Sequence, residues 1–114
     1  MEKEQLDLEW QKLLYRLKGV FKTKLNLQGL LFLIGVQELG QGARDFTKEE
    51  KQDLMHIAVC TLLTQAGYNQ LMGHDADGWP HFEMTSKERP QGLEEQEYFL
   101  KEQILNYFKS NEEE

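Results

Sequence analysis

The stretch YNQLMGHDADGWPHFEMT, residues 68–85, decides the fold. On either side of it apolar residues recur at helical spacing, and inside it they do not. Its centre, Asp75-Ala76-Asp77-Gly78, is made of turn residues: aspartates that bond their own backbone and a glycine free to take positive φ. The flanks are short and aromatic-rich, which reads as two strands. The segment therefore predicts one β-hairpin over about residues 68–85. Two registers are open. A type I turn over 75–78 followed by a left-handed glycine pairs Asp75 with Trp79. A two-residue turn at Asp77-Gly78 instead places His74 directly opposite His81. In either case Pro80, with no amide to donate, must face an open edge.

Working outward, the sequence on both sides reads as helix. Thr47 with Glu50 has the spacing of a capping box, and a helix follows over about 48–66, ending before Gly67. Its first turns are polar; Leu54, Ile57, Ala58 and Leu62 then carry it into the core. Upstream, Asn26 can cap a helix over 27–39 that stops at Gly40. Leu27, Leu30, Leu31, Phe32, Leu33, Ile34, Val36 and Leu39 cover nearly its whole circumference. A helix apolar all round must be buried all round, which four short elements do with difficulty. The expectation is a central helix shared with a self-association surface. Gly29 and Gly35 inside it each cost about 1 kcal/mol in propensity and are tolerated where another backbone comes close.

The first helix, about 3–22, carries the stripe Leu6, Trp10, Leu13, Leu14, Leu17 and Phe21. Residues 23–26 read as a connection and 41–46 as a glycine-containing loop. After a connector holding Pro90, a fourth helix spans about 93–109. Leu93, Leu100, Ile104, Tyr107 and Phe108 are expected inward with Phe99 beside them, and Glu97 is spaced to pair with Lys101. Residues 111–114 read as a solvated acidic end. The expected fold is mainly α, with four helices and one hairpin between the third and fourth.

At 114 residues the chain is expected to be a single domain. Its net charge of −7 repels phosphate backbones, so nucleic acid is disfavoured unless a local basic patch exists. The candidate patch, Arg16, Lys18, Lys22 and Lys24, closes a helix that opens with Glu2, Glu4, Asp7 and Glu9, and this order suits the helix dipole. A single cysteine, Cys60, excludes an internal disulfide. The acidic start is no signal peptide, and the longest apolar run, residues 30–36, is too short to cross a bilayer. The expectation is a soluble cytoplasmic protein with no membrane partner.

Metal ligation, nucleophilic catalysis and interaction each have candidate residues. His74, His81 and Asp75 are the candidate metal ligands on the hairpin, with His56 or Cys60 supplied from a facing helix. Zinc and similar ions need three or four converging N, S or O donors. The spacing fits no standard zinc pattern, and Gly78 comes too soon after Asp77 for a calcium loop. The competing reading is that the aspartates build the turn and the histidines are ordinary strand residues. Cys60 lies one helical turn from His56, which would suit an activated thiolate, but a lone cysteine in the apolar run 59–63 is usually inert core. Asp75 and Asp77 would suit acid–base work, although turn aspartates more often bond their own backbone. No phosphate-binding glycine loop is present. Trp79, Phe82 and Tyr68 are the candidate aromatic anchors for a protein partner. The alternative is that Trp79 and Phe82 fold back as lids on the core.

Two resemblances follow from these residues. Residues 47–85, a helix then a hairpin, resemble the recognition helix and wing of a winged-helix domain. The would-be wing carries His74, Asp75 and Asp77 where a DNA-contacting wing carries Arg or Lys, so the resemblance implies protein contact before DNA. The runs MHIAVCTLLTQAGYNQL and GHDADGWPHF resemble a small bacterial family of uncharacterised proteins, which implies no activity, cofactor or site. The function expected is a non-enzymatic homodimeric interaction or regulatory module. The alternatives are a metal-binding protein or small metal-dependent enzyme using the hairpin, and a winged-helix-like DNA-binding protein.

Overall fold

The hairpin sits where the sequence places it, between the third and fourth of four helices. A computed structural model of the chain describes residues 2–21, 25–42, 44–88 and 90–112. The element order is α1 (Lys3–Phe21), α2 (Leu27–Leu39), α3 (Lys48–Gln65), β1 (Asn69–His74), β2 (Pro80–Met84) and α4 (Leu93–Glu112). Of the expected basic patch, Lys22 and Lys24 lie outside the described residues, as do Thr23 of the first connection and Ala43 of the second loop. The fourth helix runs one turn beyond its expected end. Ser110 and Asn111 are neither glycine nor proline, so nothing in the chain stops it there.

The described residues group into two compact units, 1–27 with 90–114 and 28–89. In the first unit α1 packs on α4. Leu6, Trp10, Leu13 and Leu17 of the expected stripe are buried, as are Ile104 and Tyr107 of α4. The Lys101 ammonium lies 5.5 Å from the Trp10 ring centroid and 3.4 Å from Glu97 Oε1, so the expected Glu97–Lys101 pair also covers the tryptophan. Leu93 departs from expectation: it is 87% exposed. It is the first residue of α4, and the buried part of the helix begins three turns later.

In the second unit the polar start of α3 is fixed by a complete capping box. Thr47 Oγ1 accepts from the Glu50 amide at 3.1 Å, and the Glu50 carboxylate accepts from the Thr47 amide at 3.0 Å. Arg44 holds the other Glu50 oxygen at 3.1 Å and lies over the Phe46 ring. The two main-chain and guanidinium partners hold the Glu50 carboxyl below its ordinary pKa, the Thr47 amide foremost. Leu54, Ile57, Ala58, Cys60, Leu62 and Leu63 form the buried face of α3.

Helix α2 meets α3 at Gly35. A Cβ there would strike the Leu54 carbonyl oxygen and lie 2.7 Å from its carbon. The interior glycine is therefore a close backbone crossing, as its cost in propensity implied. None of the apolar side chains of α2 is exposed: Leu30, Leu31, Ile34 and Leu39 are buried, and Leu27, Phe32, Leu33 and Val36 are half-buried. The apolar circumference of α2 is thus half buried and half partly covered.

Candidate functional site

The hairpin takes the first of the two registers. The Asp75 amide donates to the Trp79 carbonyl at 3.0 Å, and the Gly78 amide to the Asp75 carbonyl at 3.0 Å, with Gly78 at φ 87°. This is a type I turn closed by a left-handed glycine. The Asp75 side chain decides it. Its Oδ1 accepts from the amides of Asp77 and Trp79, each at 3.0 Å, which leaves those donors satisfied inside a tight loop. Its Oδ2 faces His81 Nε2 at 3.1 Å. The Trp79 amide, then the imidazole, holds the Asp75 carboxyl below its ordinary pKa.

Beyond the turn β1 and β2 pair antiparallel, with Leu71 opposite Phe82, Gly73 opposite His81 and His74 opposite Pro80. The register shifts between Leu71 and Gly73, so Met72 is an extra, bulged residue. Gly73 takes φ 146°, a conformation nearly closed to residues with a Cβ. The bulge has a consequence for the face that carries His74. It lets Leu71 and His74, three residues apart, face the same side. Both line a shallow pocket with Pro80 and Phe82, closed by Glu38, Thr61 and Thr64. His81 alternates with Pro80 and Phe82 along β2, so it faces the opposite side.

The four expected metal donors therefore separate. Asp75 and His81 meet; His74 lies on the other face of the hairpin; His56 sits on α3 with Nε2 3.6 Å from the Cys60 sulfur. Among the described residues, no group of three or more His, Cys, Asp or Glu side chains is arranged to hold a metal ion. The His56–Cys60 contact expected from spacing is present, with the thiol on the buried face of α3 and the imidazole exposed.

The three aromatic candidates are all half-buried. Phe82 belongs to the pocket face. The Tyr68 ring is capped by Lys87, whose ammonium lies 4.4 Å from its centroid and donates to the Ala66 carbonyl at 2.9 Å. A cation thus satisfies a last carbonyl of α3, where the helix dipole favours it. Thr85 ties the end of β2 to the same place, its hydroxyl donating to the Gly67 and Tyr68 carbonyls. The exposed apolar side chains of the hairpin are others: Leu71 (49%), Met72 (54%) and Met84 (69%). Their exposure follows from the bulge and from the end of the strand, neither of which strand alternation reveals. Lys87 was equally hidden, because its partners come from a helix end twenty-one residues earlier.

Comparison with family models, with curated proteins and with solved structures finds no match to this chain. No helix among the described residues is long and apolar enough to cross a membrane.

Proposed function

We propose that the protein is a non-enzymatic interaction module that works as a homodimer and presents its hairpin as the contact surface. One observation carries this reading. The hairpin is stiffened at both ends, by Asp75 at the turn and by Thr85 and Lys87 at α3, yet leaves Leu71, Met72 and Met84 in water. Methionines are adaptable contact residues, and a rigid element bearing exposed apolar side chains costs little entropy to dock. The His81–Asp75 pair supports the same reading rather than chemistry. Asp75 spends one carboxylate oxygen on the turn amides and the other on His81, so its first role is to shape the loop. The exposed charges of the hairpin, Asp75, Asp77 and Glu83, favour a protein surface over a phosphate backbone.

Sedimentation of the full chain over a range of concentrations tests this. The expected result is a reversible monomer–dimer equilibrium with no bound metal in native mass spectra. A monomer at every concentration overturns the homodimer, and stoichiometric metal overturns the non-enzymatic reading.

A further inference from the structure

We infer that two copies of the chain join through the outer edges of their β2 strands, forming one continuous four-stranded antiparallel sheet centred on Phe82; this rests on the homodimer reading above and names its interface. The main-chain directions follow from the hairpin itself. Trp79 and Thr85 both bond inward, to Asp75 and Tyr68. Between them the ladder alternates, so His81 and Glu83 also bond toward β1, while the main-chain groups of Pro80, Phe82 and Met84 point away. β1, not β2, is the strand that packs on α3. Among the described residues the outward amides of Phe82 and Met84 have no main-chain partner.

An open edge invites a strand, and the side chains say which one. A two-fold antiparallel pairing about Phe82 sets His81 opposite Glu83 of the second copy, and Glu83 opposite its His81. An imidazole then meets a carboxylate twice on one face. These are the non-hydrogen-bonded positions, where side chains come closest. On the other face Phe82 meets Phe82, and exposed Met84 meets Pro80. Shifting the centre to His81 or Glu83 stacks like residues, histidine on histidine or glutamate on glutamate. Pro80 is compatible with the Phe82 centre. Its carbonyl accepts the Met84 amide of the second copy, and its missing amide leaves only an end carbonyl to water. The Phe82 amides and carbonyls bond reciprocally at the centre. Asp75 occupies Nε2 of His81, so the ring bonds the incoming Glu83 through Nδ1 only as the imidazolium, in which both nitrogens donate.

Two variants of the full chain test the pairing. Met84→Pro removes an outward amide that the hairpin itself does not use, and so deletes half of the main-chain bonds across the joint. It is expected to weaken dimerisation roughly 30-fold in sedimentation while the helical circular dichroism is retained. In the second arm, His81→Cys protein is mixed with Glu83→Cys protein under mild oxidation. Positions about 4.5 Å apart at Cα suit a disulfide. The mixture is expected to crosslink as a covalent dimer, and each variant alone much less. Should Met84→Pro fail to fold, the crosslink decides. A wild-type dimer that neither crosslinks at these positions nor responds to Met84→Pro overturns the sheet joint and leaves the homodimer reading standing. A wild-type monomer overturns both.

Discussion

Asp75 Oδ2 lies 3.1 Å from His81 Nε2, while Oδ1 of the same carboxylate accepts the amides of Asp77 and Trp79. One side chain thus closes the loop and orients the residue that follows it on β2. The pH consequence has a definite sign. The folded carboxyl is depressed below its ordinary value of 3.8, so its contribution is fully present above that pH and is lost as pH falls through the lower, folded value. Protection of the Trp79 amide, taken relative to intrinsic exchange at each pH, is expected to fall below pH 3.8. Asp75→Asn keeps an acceptor for the two amides and removes the carboxylate, so this acid dependence should vanish. Glu50 is depressed in the same direction, but it sits at the α3 cap, so the Trp79 probe isolates the turn.

Gly35→Ala tests the crossing of α2 and α3. The new methyl would overlap the Leu54 carbonyl, which is backbone and cannot rotate away. Overpacking of this kind costs typically 1–3 kcal/mol, about the gain in helix propensity or more. Chemical denaturation is expected to show net destabilisation. A stabilised Gly35→Ala would mean that the two backbones do not approach this closely.

The elements were legible because each is written locally. The Thr47–Glu50 box, the stops at Gly40 and Gly67 and the Asp75–Gly78 turn all act within a few residues. What could not be read depends on residues brought from elsewhere in the chain, or on one residue out of register. The turn register sets His74 opposite Pro80 and so away from His81, and the bulge at Met72 then brings Leu71 onto the face of His74, which no alternation rule places from sequence alone. The inward expectation for Leu93 failed for a related reason. Helical periodicity says which residues share a face, not where along the helix its neighbour begins.

Gly73→Ala tests the bulge. Nothing stands within 4 Å of the added methyl, so its whole effect is the φ of 146°. A residue held in such a region costs about 1–3 kcal/mol. The strain is expected to appear in hairpin amides while α1 and α4 keep their exchange protection. Relief by loss of the bulge with the turn kept would pair Leu71 with Glu83 in place of Phe82, and the cross-strand nuclear Overhauser contacts of Leu71 would change accordingly.

Lys87→Met tests how the hairpin is held to α3. The variant keeps most of the stem over the Tyr68 ring but removes the ammonium that bonds the Ala66 carbonyl at 2.9 Å. Losing an exposed charge-assisted bond and a cation–π contact costs about 1 kcal/mol. Lys87→Arg keeps the cation and the stacking, and is expected to restore most of it. The informative comparison is with Thr85→Val, which removes the hydroxyl bonds to Gly67 and Tyr68. Both substitutions act on the carbonyls that end α3, so their effects should couple in a double-mutant cycle. Strict additivity would mean that Lys87 and Thr85 anchor the hairpin independently, and that the end of α3 does not relay one to the other.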